Sequence, residues 1–256
     1  MQDASFKQSG VPRPQFKTHP DHPGIVVRES QPVLYDVEPA RLDDATAREA
    51  TPESVEITRL DAVAAREAFT ELGSYEGINL PSFLPAVGPT EDGDGHQVYM
   101  VTTKVEGQVL SDCLWQQQLT PERQAKLEQA LVGLTEYFGD KAVHDEPYLQ
   151  DATGSRQYMI GTTMSDADEK LYFVDLDPIM AQTPPEETYG KGFGNVFRMI
   201  FEAEVANDNR IRLEYARQAL VTAVNKRFDE ISRQGLSHER QEVLAIYHQS
   251  LLQRLQ

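Results

Sequence analysis

Two aspartates follow an apolar run near the middle of the chain. Asp175 and Asp177 come directly after Leu-Tyr-Phe-Val, residues 171–174, and Pro178 follows them. Carboxylate oxygens can bind a cation such as Mg²⁺ or take a proton from a hydroxyl group. An aspartate before proline is also a common way to begin a turn. The pair is therefore either a chemical site at the end of a strand or the start of a turn.

A second apolar run predicts how these carboxylates are positioned. Residues 158–160 and 171–174 flank a polar stretch rich in Ser, Asp and Lys, a pattern typical of a β-hairpin. Antiparallel strands return the chain to the end at which it entered. We therefore expect Asp151 and Gln157, which precede the first strand, to lie close to Asp175 at the exit of the second strand.

The composition limits the class of protein and its partners. The chain has 256 residues, of which 39% are hydrophobic, so it can bury the core of one large domain or of two lobes. The chain has 24 basic and 41 acidic side chains, so its net charge is −17. Because this charge repels phosphate backbones and anionic lipid surfaces, we expect neither nucleic acid nor a membrane as a partner.

Cysteine usage and the chain's apolar stretches indicate a cytoplasmic setting. Cys113 is the single cysteine, so an intrachain disulfide and a CxxC-type metal or redox site are both excluded. The opening residues, MQDASFKQSGVPRP, lack the apolar core of a signal peptide, and no stretch reaches the ~20 apolar residues of a membrane span. We expect a cytoplasmic protein.

Before the hairpin, the patterns predict strands with one helix between them. Short β-branched runs at residues 24–30 and 32–38 are typical of strands, and residues 96–107 predict a longer one that ends in a turn at Gly107. Asp61 stands where a helix N-cap would be, apolar residues follow at near-helical spacing, and Gly73 ends the pattern. An amphipathic helix is therefore expected between the strands.

After the strands, helical patterns dominate. Thr120 as N-cap and Pro121 in the first turn predict a long amphipathic helix that we expect to end at Gly139. Cys113 and Trp115 lie in a short apolar stretch that we interpret as a helix face packed against the core. Further helices are predicted after the hairpin. This order indicates an α+β fold with two unequal lobes.

This order of elements resembles the protein-kinase-like fold, in particular the bacterial small-molecule branch related to aminoglycoside phosphotransferases. The stretch TKVEGQVLSD is similar to the segment that crosses between the lobes of that family, and LQDATGSRQYMIG and YFVDLDP are similar to its catalytic loop and metal-binding strand end. The resemblance implies a bilobal α+β protein with a β-rich N-lobe at 1–101, a hinge at 102–107 and a helical C-lobe at 108–256 that carries the catalytic-loop hairpin.

The resemblance also implies roles for single residues. Asp151 would be the catalytic residue that accepts or positions the proton of a substrate hydroxyl. Magnesium would be held by Gln157 and Asp175, with Asp177 either a further ligand or the start of a turn. ATP would be bound by the hinge residues and by a phosphate-contacting arginine paired with a helix glutamate; the residues in these places are Arg28, Glu67, Thr103 and Val105. Arg59 is a second candidate for the arginine.

Two functions from different classes remain open from the sequence. The first is a phosphotransferase that uses ATP and magnesium on a small-molecule or protein hydroxyl. The second is a catalytically degenerate, pseudokinase-like domain that serves as a binding or regulatory module. Asp151, Gln157 and Asp175 favour the enzyme, whereas arginine in the place of the family's lysine at position 28 favours the module. An unrelated α+β binding protein is a third reading, since fold alone does not determine function.

Overall fold

The computed structural model of the chain describes residues 17–19, 21–29, 34–35, 48–49, 52–89, 95–150, 152–176, 179–208 and 210–255. Within these residues six α-helices and eleven strands form a mixed α and β fold, as the sequence predicts. None of these helices combines the length and the apolar character that a bilayer crossing requires.

The first sheet is antiparallel and is built around one long strand. That central strand, β6, runs over Gly95–Thr103. On one side it pairs with β5, and on the other with β2 and β4, while β1 pairs with β2. The bounds of the four other strands are β1 Lys17–His19, β2 His22–Glu29, β4 Arg48–Glu49 and β5 Phe83–Pro89.

Helix α1, Pro52–Leu72, packs against this sheet and begins earlier than its predicted N-cap. Asp61 lies inside the helix, so its expected capping role is wrong, although the helix does end just before Gly73. The buried side of α1 carries small residues and Phe69. The centroid of the Phe69 ring lies 5.9 Å from that of Phe83, in the first sheet, and 6.3 Å from that of Phe173, in a second sheet. This phenylalanine therefore joins α1 to two separate sheets.

The chain passes from the first sheet into a second one at a single residue, Lys104. Strand β6 ends at Thr103, and β7, Val105–Val109, begins the second sheet. The predicted hairpin is confirmed as β9, Tyr158–Thr163, and β10, Asp166–Phe173, and the strand order is β10-β9-β7.

Two glycines let β7 and β9 approach closely. Gly107 stands directly opposite Gly161 in the register of the pair. A Cβ added at Gly107 would collide with the carbonyl oxygen of Ile160. The turn expected at Gly107 is therefore a position inside a strand, where the lack of a side chain serves packing rather than chain reversal.

Five helices build the rest of the described chain, together with a small third sheet. The helices are α2 Leu110–Trp115, α3 Pro121–His144, α4 Pro185–Ala206, α5 Glu214–Ser232 and α6 His238–Leu255. In the third sheet, β11 lies between the other two strands; its members are β3 Leu34–Tyr35, β8 Tyr148–Leu149 and β11 Ile179–Ala181.

The start of α3 is confirmed, and its predicted end is wrong. The Thr120 hydroxyl accepts a hydrogen bond from the backbone N–H of Arg123, and Pro121 occupies the first turn. The helix runs through Gly139 to His144. A glycine within a helix costs about 1 kcal/mol relative to alanine. Packing overrides this cost here, since Arg227 lies 2.9 Å from the point where a Cβ of Gly139 would stand.

Candidate functional site

Two buried tyrosines fix the segment that leads into the hairpin. The Tyr137 hydroxyl accepts a hydrogen bond from the backbone N–H of Leu149 at 2.8 Å, and the Tyr158 hydroxyl donates to the carbonyl oxygen of Ala152 at 2.7 Å. Burial raises the pKa of both phenols far above the ordinary tyrosine value, so they stay neutral. Leu149 and Ala152 are therefore each held by a buried tyrosine hydroxyl.

Gln157 lies next to the exit of β10, as the hairpin predicts. It ends a short 3₁₀ helix, Ser155–Gln157, and its backbone carbonyl accepts a hydrogen bond from the N–H of Val174 at 2.8 Å. Val174 immediately precedes Asp175 in the chain. The side-chain oxygen of Gln157 is buried and has no hydrogen-bond partner within the described structure. The hairpin therefore brings Gln157 and the start of the Asp175 segment together.

Asp175 forms an ion pair with Arg28 across a long sequence separation. The guanidinium Nη1 of Arg28 donates to the Asp175 carboxylate at 3.0 Å. Arg28 lies on β2, opposite Met100 of β6, and its side chain is 7% exposed, whereas that of Asp175 is 33% exposed. This contact joins the first sheet directly to the end of the hairpin in the second.

The expected ion pair between Arg28 and Glu67 does not form. Glu67 is exposed on α1, where the inner side of the helix is occupied by its buried neighbours Ala68 and Phe69. Arg59, the second candidate for the basic residue, is also exposed and binds Glu56 of its own helix at 2.8 Å. Arg28 is thus the arginine beside Asp175, and its partner there is the strand-end carboxylate.

Thr103 and Val105 flank the single residue between the sheets. The backbone N–H of Thr103 donates to the carbonyl oxygen of Ser82 at 2.9 Å, and that of Lys104 donates to the carbonyl oxygen of Gly24 at 2.8 Å. The Thr103 hydroxyl is buried and has no hydrogen-bond partner in the part of the chain described. Val105 is buried and pairs with Thr163 of β9. Within the described residues, the backbone N–H of Thr103 is therefore already paired, whereas its buried hydroxyl is not.

Asp151 and Asp177 lie outside the described residues. Within the residues that are described, no group of three or more His, Cys, Asp or Glu side chains is arranged to hold a metal ion. Among the described residues, the candidate site therefore consists of Arg28, Gln157 and Asp175, with Thr103 and Val105 where the chain passes from the first sheet to the second.

A cavity of about 550 Å³ lies beside Gln157, between α2, the 3₁₀ helix and α4. We name it the α2–α4 pocket. Its lining combines aromatic and aliphatic side chains with two arginines, one glutamate and several hydroxyl groups, and it includes Trp115, Arg156, Gln157, Arg198, Phe201, Glu202 and Val205.

Trp115, which lines this pocket, is not packed against the core as the sequence predicts. Cys113 and Leu114 are buried as expected for a helix face against the core, but Trp115 is 72% exposed. Helix α2 has only six residues, and Trp115 is its last, so the side chain falls beyond the face that packs inward. The sequence signal was present: a lone tryptophan beside three glutamines is poorly matched to a buried surface.

Comparison with protein-family models yields no match, and comparison with curated proteins yields no significant match either.

Proposed function

We propose that the chain is a bilobal, kinase-like phosphotransferase that binds ATP with magnesium and transfers a phosphoryl group to a hydroxyl. The observation that carries the proposal is the contact of Arg28 with Asp175, at the end of a hairpin that also holds Gln157. A basic group from one sheet thus meets a carboxylate from the other. Phosphoryl transfer needs this combination of charges, because catalysis consists mainly of positioning and of neutralising phosphate charge.

The donor groups suit magnesium. Mg²⁺ prefers carboxylate and amide oxygens and keeps several waters. Gln157 has a buried amide oxygen without a hydrogen-bond partner in the described structure, and the Asp175 carboxylate is partly open to solvent. Gln157 and Asp175 would hold the ion, with Asp177 as a further ligand. When bound, the ion would supply positive charge against the phosphates.

The remaining residues have complementary tasks under this proposal. Arg28 would bind phosphate oxygens through its planar guanidinium, and Asp151 would orient the acceptor hydroxyl and take its proton. Thr103 and Val105 would line the nucleotide base at the crossing. Glu67, exposed and without contact to Arg28, would act only if α1 turned, so it is the weakest member of the proposed site.

A second candidate function is a binding or regulatory module without catalysis. It is favoured by the same ion pair: Arg28 and Asp175 already neutralise each other, so the charges at the cleft are balanced without nucleotide. Arginine in the place of the family's lysine also favours this candidate, because a planar guanidinium is not interchangeable with an ammonium group at a phosphate.

The test is a thermal shift measurement with ATP, with and without magnesium. A ligand that binds only the folded state stabilises it by about 2.7 kcal/mol at roughly a hundredfold excess over Kd. We expect ATP with magnesium to raise the melting temperature of the wild type, and Arg28→Met to lose that increase.

Arg59→Met is the matched control, because Arg59 also pairs with a carboxylate but lies on the exposed side of α1. It should respond to ATP as the wild type does. A wild-type protein whose melting temperature ignores ATP with magnesium would overturn the phosphotransferase and leave the binding module.

A further inference from the structure

The apolar part of the α2–α4 pocket is exposed to an unusual degree. Trp115 is 72% exposed, Phe201 51% and Val205 42%, and all three line this one cavity. Exposed apolar surface is less favourable than buried apolar surface, so these three side chains together favour a ligand that covers them. Aromatic side chains offer flat faces against which another ring packs.

The described lining of the pocket carries more basic than acidic side chains. Among the described residues that line it, Arg156 and Arg198 lie beside one glutamate, Glu202, although the net charge of the chain is −17. Arg198 contacts Glu202 only at 3.5 Å, and both side chains are exposed. A guanidinium binds carboxylate and phosphate groups with two parallel hydrogen bonds. The lining therefore favours an anionic group at the α4 side of the cavity.

We propose that the α2–α4 pocket binds a planar aromatic compound that carries an acidic group. The ring packs against Trp115 and Phe201, and the acid binds Arg198. This inference goes beyond the proposed function, because it assigns the pocket a ligand of its own. Binding itself requires no nucleotide, and that separates the two proposals.

Trp115 makes the test direct, because it is the only tryptophan in the chain. Its fluorescence is titrated with 4-hydroxybenzoate in the absence of ATP, and with 4-hydroxyphenyl phosphate to distinguish a carboxylate from a phosphate. 4-Hydroxybenzyl alcohol supplies the aromatic ring without the charge, and cyclohexanecarboxylate supplies the charge on a saturated, non-planar ring. We expect a saturable change with at least one aromatic anion, and binding about tenfold weaker or more for the two partial probes.

Variants assign the binding to the pocket. Arg198→Met should reduce the affinity for the aromatic anion to that for the uncharged aromatic probe, and Phe201→Ala should weaken the binding of all three aromatic probes. Arg233→Met, at an exposed arginine after α5, is the matched control and should bind as the wild type does. Equal affinity for all four probes, or no saturable change with either aromatic anion, would overturn the inference.

The outcomes for the two proposals are distinguishable. Aromatic anion binding without any ATP response overturns the phosphotransferase and retains this pocket. An ATP response without aromatic anion binding retains the phosphotransferase and overturns the ligand class inferred here.

Discussion

At the scale of single residues, the pair formed by Arg28 and Asp175 decides how the candidate site is arranged. A buried guanidinium is tolerated only where carboxylates or other acceptors satisfy it. The strand-end carboxylate that could hold a metal ion is therefore also a structural partner. Any ligand that displaces Asp175 from Arg28 must offer the guanidinium an equivalent negative group, which phosphate oxygens do.

Removing the Asp175 carboxylate should therefore cost stability as well as ligand binding. We expect Asp175→Ala to lower the free energy of unfolding by about 1–3 kcal/mol, less than for a fully buried pair because Asp175 is partly exposed. Urea unfolding of both proteins measures the difference. Glu56→Ala removes the carboxylate of an exposed arginine pair and should leave the unfolding free energy unchanged. Equal stability of Asp175→Ala and the wild type would contradict a structural role for the pair.

At the scale of elements, two glycines inside helices differ in how closely neighbouring groups approach them. Gly133 lies inside α3, and a Cβ there would collide with the carbonyl oxygen of Glu76 and stand 3.1 Å from Ile78. Gly194 lies inside α4, and a Cβ there would meet nothing within 4 Å. The two positions share a helical setting and differ in the space around them.

This contrast predicts opposite effects of the same substitution. Gly133→Ala should destabilise the protein by about 1–3 kcal/mol, because α3 must move away from the segment that follows α1. Gly194→Ala should stabilise it by about 0.5–1 kcal/mol through helix propensity alone. Denaturant unfolding of both variants checks the signs. A stabilising Gly133→Ala would show that the approach of α3 to Glu76 is looser than described.

The C-terminal helix is joined to the helical core through a histidine and a tyrosine. The Tyr189 hydroxyl donates to the Val224 carbonyl at 3.0 Å, so Nδ1 of His248 must be the donor in their 2.9 Å contact. The imidazole also stacks on Phe228, with ring centroids 4.1 Å apart. Burial lowers the pKa of His248, and the opposing effect of Asp229 is smaller.

At the scale of the whole molecule, this histidine makes stability depend on pH. Because its pKa is lower in the folded state, the unfolded chain takes up the proton first, near the ordinary value of about 6.5. The contribution of His248 is therefore complete above that pH and is lost as the pH falls through the folded value. We expect urea unfolding between pH 8 and pH 5 to show a smaller loss of stability for His248→Gln than for the wild type. Parallel pH profiles would contradict this assignment.

Features set by neighbouring residues were predictable from the sequence. The hairpin followed from two apolar runs around a polar turn, and the start of α3 followed from Thr120 and Pro121. Strand pairing then required Gln157 and the residue before Asp175 to lie at one end of the hairpin, as the bond from Val174 to Gln157 bears out. Alternation, capping and turn chemistry act over a few residues, so the chain itself carries them.

Tertiary structure alone decided the partner of Arg28, the extent of α3 and the exposure of Trp115. Arg28 and Asp175 are 147 positions apart, and nothing in the local pattern favours that carboxylate over Glu67. The local sequence predicts a helix end at Gly139, but in the folded protein α3 continues past this glycine and Arg227 packs beside it. Trp115 belongs to an apolar stretch, and only the place where α2 ends leaves its ring in solvent. Each outcome depends on groups that meet only after the chain has folded, and local periodicity does not encode such contacts.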